Sequence, residues 1–316
     1  MRILFVMDPV DRLAWDKDTS FAFMRAAARN GHEVFHTELH LVQNRGRVLS
    51  AVCRPLTVHP GSPWLVSGAP LSLEIESLDA VLIRKDPPFD VAYLRVTQQL
   101  DFVKHRVVVM NDPQGLRDAN EKMFAFHFSE FMPRSLVSSN PKALLDFMEE
   151  VGGKAVLKPL DGAGGSGVVV LNQGDPNCRS LVDVWTEEGK RLALVQEYQP
   201  GIRIGDKRVL LLDGKPLGAI LRVPRADDVR ANIHAGGNVV PTELSAKELE
   251  LVAAVGPKLR AHGLWFVGLD LIGEKLIEVN VTSPTGIQEL SRFSGRSVED
   301  DVIAWIAERR RQLPAA

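Results

Sequence analysis

The sequence predicts an α/β protein of about two domains, and three observations carry that prediction. First, compact apolar runs at Arg2–Met7, Glu33–Thr37, Ala80–Ile83 and Val107–Met110 alternate with helical patterns, the signature of buried parallel strands joined by crossover helices. Second, the glycine-rich segment Lys158-Pro-Leu-Asp161-Gly162-Ala-Gly164-Gly165-Ser166-Gly167 lies between two strand patterns rather than between a strand and a helix. Third, Trp265–Ile272 and Leu276–Val281 read as two apolar strands closed by a tight Gly273-Glu274 turn. The chain has 316 residues, 45% of them hydrophobic, enough to bury a core of this size.

The formal net charge of -2 excludes a global basic field for nucleic acid. No apolar run reaches membrane-spanning length, and Met1-Arg2 runs straight into a strand without a leader pattern. Cys53 and Cys178 match no metal or redox spacing and read as reduced thiols. A soluble, cytoplasmic protein with neither nucleic-acid nor membrane partners is the expectation.

The elements follow in order. Thr19 or Ser20 is expected to cap a helix ending at Asn30-Gly31. The first turn, Asp8-Pro9-Val10-Asp11, has no glycine fingerprint, so no dinucleotide site is expected there. Residues 41–75 read as β-ribbon and loops, and Asp90–Lys104 as a helix. Residues 1–119 thus make a small open α/β domain. Arg84 and Asn111 end two of its parallel strands, the end at which such sheets bind ligands; a surface pair of Arg84 with Asp86 or Asp90 is the alternative.

A helix over Ala119–Phe131 carries Lys122, and Asn140-Pro141 opens another. Gly162, Gly164 and Gly167 satisfy G-x-G-x-x-G, but the β-branched run Val168–Leu171 follows at once, so the loop joins strand to strand. Such a loop lets backbone amides approach anionic oxygens, with Lys158 beside it. Gln196, Glu197 and Tyr198 end the next strand at a crossover, where backbone groups can read a purine edge. A hairpin with an Asp213-Gly214 turn carries Arg208 and Arg222, and the polar loop 225–240, long enough for a lid, contains Arg230, Asn232, Gly236 and Gly237. Ser245-x-x-Glu248 is a capping box for a helix ending at His262-Gly263. In the last hairpin, Glu278 and Asn280 share a face and Asp270 can fall opposite them. Taken alone, the pair of acids reads as a solvated edge; with the glycine loop upstream, the hard-oxygen set suits Mg²⁺ held jointly with phosphates.

On these residues the chain resembles the ATP-grasp ligase superfamily. Five runs, in family order, resemble its bacterial glutathione synthetases: Val6-Met-Asp-Pro9, Arg84-Lys-Asp-Pro-Pro-Phe-Asp90, Gly115-Leu-Arg117-Asp118 with Asn120-Glu-Lys122, Gly205-Asp-Lys-Arg-Val-Leu210, and Phe266-Val-Gly-Leu-Asp270 through Glu278-Val-Asn-Val-Thr-Ser-Pro284. The resemblance implies an ATP-grasp fold preceded by a small α/β pre-ATP-grasp domain, the grasp spanning 120–316 as a lid subdomain over 120–199 and a metal-bearing subdomain over 200–316. It implies ligation of γ-glutamylcysteine to glycine with ATP through an acyl phosphate, with Mg²⁺ or Mn²⁺, in a homotetramer or dimer.

By position, it implies ATP contacts from Lys122, Lys158, Gly162, Gly164, Gly165, Ser166, Gln196, Glu197, Tyr198, Asp206 and Arg208. Metal ligation falls to Asp270, Glu278 and Asn280. Substrate contacts fall to Arg84, Arg222, Arg230, Asn232, Gly236, Gly237, Thr282, Ser283 and Thr285, with Arg208, Arg222 and Arg230 stabilising transferred charge. The segment 225–237 is less glycine-rich than the family's loop. A ligase for another amino acid or peptide, and a non-catalytic ATP-binding regulator, are the competing readings.

Overall fold

The computed structural model describes residues 1–162, 164–224 and 238–314. The first part runs β1 (Arg2–Val6), α1 (Thr19–Arg29), β2 (Glu33–Thr37), β3 (Val42–Arg45), β4 (Val48–Val58), β5 (Leu65–Ser67), β6 (Leu71–Glu74), β7 (Ala80–Ile83), α2 (Val91–Leu100), β8 (Val108–Met110) and α3 (Pro113–Asp118). The middle is β9 (Ser135–Ser138), α4 (Pro141–Glu150), β10 (Lys154–Pro159), β11 (Val169–Asn172), α5 (Cys178–Trp185) and β12 (Ala193–Glu197). The last part is β13 (Asp206–Leu212), β14 (Lys215–Val223), β15 (Asn238–Thr242), α6 (Ala246–Ala261), β16 (Phe266–Ile272), β17 (Lys275–Asn280), α7 (Ile287–Ser294) and α8 (Val298–Arg311).

Three sheets result. In the first, β1 pairs in parallel with β2 and β7, and β7 with β8. The ribbon β3–β6 adds antiparallel strands through β4. β7 and β8 are apolar throughout and β1 is apolar after Arg2, as burial on both faces requires, whereas β2 carries Glu33, His36 and Thr37. The second sheet has order β11-β10-β12-β9 and the third β15-β14-β13-β16-β17, both antiparallel. The glycine segment does join strand to antiparallel strand, and both late hairpins close as expected: Asp213, Gly214, Gly273 and Glu274 all take positive φ in their turns.

Two local expectations are corrected. Asp18, not Thr19 or Ser20, caps α1, accepting from the amide of Phe21 at 2.8 Å. The helix over Ala119–Phe131 does not form; α3 stops at Asp118 and a kinked 3-10 segment begins at Phe124. Asn120 is the cause. Its Oδ1 accepts from the amides of Lys122 at 3.1 Å and Met123 at 3.0 Å, a local turn that competes with helix continuation.

The first and third sheets share hydrophobic cores. One cluster joins Val6 and Ile83 to Leu211, Leu269 and Val279; another joins Phe5 and Met110 to Leu210, Phe266 and Ile306. The chain's end returns to its beginning, α8 packing on α1 with Arg29 bound to Asp300 at 2.8 Å. Asn111, 4% exposed at the end of β8, pins the two sheets together. Its amide donates to the carbonyls of Phe266 (2.9 Å) and Val281 (2.8 Å), and its Oδ1 accepts from the amides of Trp265 (2.7 Å) and Phe266 (2.8 Å). Truncation to Asn111→Ala leaves four buried backbone groups without that partner, so unfolding in urea should lose about 3 kcal/mol at unchanged m value. A loss below about 1 kcal/mol would show that the docking of the sheets does not depend on this side chain.

Candidate active site

A cleft of about 500 Å³ opens between the second and third sheets, roofed by the glycine loop and closed on one side by the turn after α3 and the segment after β17. Its floor is one face of the third sheet. Alternation places Asp206 and Arg208 on the same face of β13. Register then sets Arg222 of β14 opposite Asp206, Asp270 of β16 opposite Arg208, and Glu278 of β17 opposite Asp270. Farther along the same face the residues become Leu210, Leu212 and Phe266, which pack on the first sheet. One sheet face is thus polar at the cleft and apolar where it docks.

The polar end is a chain of alternating charges. Asp270 accepts from Arg208 through Nε at 2.5 Å and Nη2 at 2.9 Å, and its Oδ2 lies 3.0 Å from Nη2 of Arg222. Arg222 also donates to Asp206 at 2.5 Å. Burial works against the Asp270 charge, yet the two guanidiniums hold its carboxyl well below the usual carboxylate range. Asp206 is pushed up by burial and by Asp270, and its Oδ1 is buried without a hydrogen-bond partner among the described residues.

Lys122, 6% exposed, reaches this floor from the Asn120 turn. Its Nζ contacts Glu278 at 3.0 Å and donates to the carbonyl of Gly162 at 2.6 Å, tying the last hairpin to the glycine loop. Lys158, on β10, donates to Gln196 at 2.8 Å. Burial pushes the Lys158 amine down to about 8, the Glu278 charge opposing that shift and the Lys122 charge adding to it. Gly162, Gly164, Gly165 and Ser166 border the cleft, with φ of 61° at Gly164 and 74° at Gly165, a conformation open to glycine. Val156, Val170, Ile202, Ile272 and Ile277 form an apolar slot beside Gln196, Glu197 and Tyr198, suited to a flat aromatic ring. The Tyr198 ring itself stacks under the Lys154 ammonium at 4.0 Å, so the main chain of this strand is what remains to read a ring edge.

Of the residues singled out from sequence, Lys122, Lys158, Gly162, Gly164, Gly165, Ser166, Gln196, Glu197, Tyr198, Asp206, Arg208, Arg222, Asp270, Glu278, Asn280, Thr282, Ser283 and Thr285 all border this cleft. Arg230, Asn232, Gly236 and Gly237, with the rest of 225–237, lie outside the described residues. Arg84 does not border the cleft. Its guanidinium, 5% exposed, donates to Ser20 at 3.1 Å and to the Pro284 carbonyl at 2.9 Å, between the rings of Phe23 and Phe266. The Pro284 carbonyl that it binds belongs to the segment that carries Thr282, Ser283 and Thr285. Ser283 in turn donates to Asp86 at 2.5 Å. Sequence reading missed Glu121, which borders the cleft beside Lys122. Only its neighbours in the Asn-Glu-Lys run pointed to it.

The donor chemistry fits a hard divalent cation. Asp270 and Glu278 are directly opposed, Asn280 follows on the same face, and the unpartnered Oδ1 of Asp206 lies in the same charge chain.

Two family models match this chain: prokaryotic glutathione synthetase, N-terminal domain, over residues 1–117, and prokaryotic glutathione synthetase, ATP-grasp domain, over 121–295. The glutathione synthetase of Gloeobacter violaceus is 44% identical over 98% of each chain. That of Synechocystis sp. is 41% identical over 98% of this chain and 100% of its own. Among solved structures, a D-cycloserine synthetase superposes with a TM-score of 0.65 at 15% identity, covering 98% of this chain and 99% of that one. The ATP-grasp ligase PsnB, solved with a minimal precursor, Mg and ADP, gives 0.62 at 16% identity over 98% and 97%. The structural likeness shows the ATP-grasp fold, and the sequence matches, spanning nearly the whole chain, place it in the prokaryotic glutathione synthetase family.

Proposed function

We propose that the cleft joins γ-glutamylcysteine to glycine at the expense of ATP, releasing glutathione, ADP and phosphate. The chain is an ATP-dependent ligase by family and fold. The observation that carries the residue-level reading is the convergence of Lys122, Lys158, Arg208 and Arg222 with Asp270, Glu278 and Asn280 on one cleft roofed by glycine amides.

The donor carboxylate oxygen takes the γ-phosphoryl group of ATP, giving an acyl phosphate and ADP. The amine nitrogen of glycine then forms the amide bond as the C–O bond to phosphate breaks. Neither step needs a protein nucleophile; positioning and charge neutralisation supply the catalysis. Lys122 and Lys158 meet phosphate oxygens beside the glycine loop, and the apolar slot takes the adenine. Arg208 and Arg222 neutralise the transferred charge and the donor carboxylate, where a guanidinium fork outperforms an ammonium. Thr282, Ser283 and Thr285 supply hydrogen bonds to the peptide. Asp270, Glu278 and Asn280 would hold Mg²⁺ or Mn²⁺, which when bound neutralises phosphate charge. Assembly as a homotetramer or dimer and a cytoplasmic location complete the proposal; no helix among the described residues is long and apolar enough to cross a membrane.

Two predictions follow from the electrostatics. Glu278→Gln keeps the shape and removes one anionic ligand, so at fixed Mg²⁺ the kcat/KM for ligation should fall by about 100-fold or more, with partial recovery at high Mg²⁺. Unchanged turnover and Mg²⁺ dependence, with the circular dichroism of the parent, would remove Glu278 from the metal site. Lys158 loses its proton as pH rises through about 8, and phosphate binds the ammonium form. The KM for ATP should therefore stay level below that pH and climb above it. In Lys158→Arg, whose charge persists, the climb should disappear; a climb of the same size in the variant would assign the titration to another group.

A further inference from the structure

Glu121 is an acid of the cleft that the reaction scheme leaves unused. Its backbone carbonyl accepts from Val279 at 3.0 Å. Its side-chain Oε1 accepts three bonds: from the Val281 amide at 2.9 Å, the Thr282 amide at 3.1 Å and the Thr282 hydroxyl at 2.9 Å. That saturates one oxygen and fixes the carboxylate against the end of β17. Oε2 has no hydrogen-bond partner among the described residues, and the side chain borders the cleft.

The neighbouring acids differ in one respect. Asp206, Asp270 and Glu278 each face a cation, at 2.5, 2.5 and 3.0 Å. Glu121 faces none among the described residues; burial pushes its carboxyl upward, and the charge of Glu278 adds to that shift. A half-buried carboxylate held rigidly at one oxygen, in a residue that lines a ligand cleft, is stabilised when a cation arrives. The substrates of the proposed reaction bring one kind of cation besides the metal, a primary ammonium.

Resting on that functional reading, we infer that Glu121 Oε2 is the seat of a substrate ammonium group, so that one carboxylate both anchors the Val281–Thr282 segment and selects an α-amino acid. Two ammonium groups qualify, that of the glycine acceptor and that of the glutamyl end of the donor. The site's position next to Lys122 and Glu278, where phosphate transfer takes place, favours the acceptor.

Glu121→Gln tests this, because an amide oxygen can still accept the three anchoring bonds while the charge is gone. The KM for glycine should rise about tenfold or more, with the KM for ATP and the melting temperature close to the parent's. Hydroxylamine, largely uncharged at neutral pH, needs no ammonium seat; hydroxamate formation from γ-glutamylcysteine should fall less than about threefold. A selective rise in the KM for γ-glutamylcysteine, absent with its des-amino analogue glutarylcysteine, would instead locate the donor ammonium at Glu121 and support the seat with the other occupant. Equal losses with glycine and hydroxylamine, or weakened Mn²⁺ binding measured by electron paramagnetic resonance, would overturn the inference in favour of a purely structural or metal-binding role. No hydroxamate from the parent protein with ATP and γ-glutamylcysteine would overturn the functional reading itself.

Discussion

The buried ion pair between Asp270 and Arg208 is the constraint on which the rest of the site depends. Taking two charges out of water is unfavourable unless each is fully partnered. Here the partnership is bidentate, extended by Arg222 to Asp206, and set on adjacent strands whose register leaves little freedom. The charges sit at one end of a sheet face whose other end is apolar and docked on the first sheet. The hydrophobic contact holds the sheet in place, and the ion-pair chain then fixes where a phosphate or carboxylate can find cations. Binding anions or a divalent cation must rearrange this chain, because both oxygens of Asp270 face arginine. On the proposed function, cation and anion binding would be coupled through the same carboxylate.

The first sheet contributes rigidity more than contact. Arg84 and Asn111 stand at the carboxyl ends of β7 and β8, the usual ligand-binding edge of an open α/β sheet. Both turn their polar groups onto the third part of the chain, Arg84 onto the Pro284 carbonyl and Asn111 onto four backbone groups around Phe266 and Val281. The edge that would bind a ligand in an isolated domain here grips the loop that lines the ligand cleft. The arginine inferred from sequence to touch substrate donates instead to the Pro284 carbonyl, in the segment that lines the cleft.

Much of the site was legible in the sequence because it is governed by short-range rules. The Gly273-Glu274 turn closes the last hairpin as its residues predict, and a one-residue register shift between Asp270 and Leu271 then brings Glu278, rather than Ile277, opposite Asp270. The β-branched run after the glycines rejects a helix, which separates this loop from a dinucleotide fingerprint. What sequence could not give are the contacts across more than a hundred residues. The partners of Asn111 and Glu121, and the Pro284 carbonyl that Arg84 binds, lie in the last hairpin and the segment after it, and nothing local to each residue names them. The helix expected over Ala119–Phe131 failed for a local reason that periodicity does not register: Asn120 spends its side chain on the amides of Lys122 and Met123. That failure matters, since a continuous helix would not present Lys122 and Glu121 to the cleft through this turn.

The central claim is that this polar sheet face activates a carboxylate by phosphorylation. The most direct measurement is oxygen transfer from donor to phosphate. γ-Glutamylcysteine labelled with ¹⁸O in its cysteinyl carboxylate, turned over with ATP and glycine, should deliver one labelled oxygen to each inorganic phosphate released, read by the isotope shift in ³¹P resonance. Phosphate free of label, with amide product formed, would mean that no acyl phosphate lies on the path and would contradict the account.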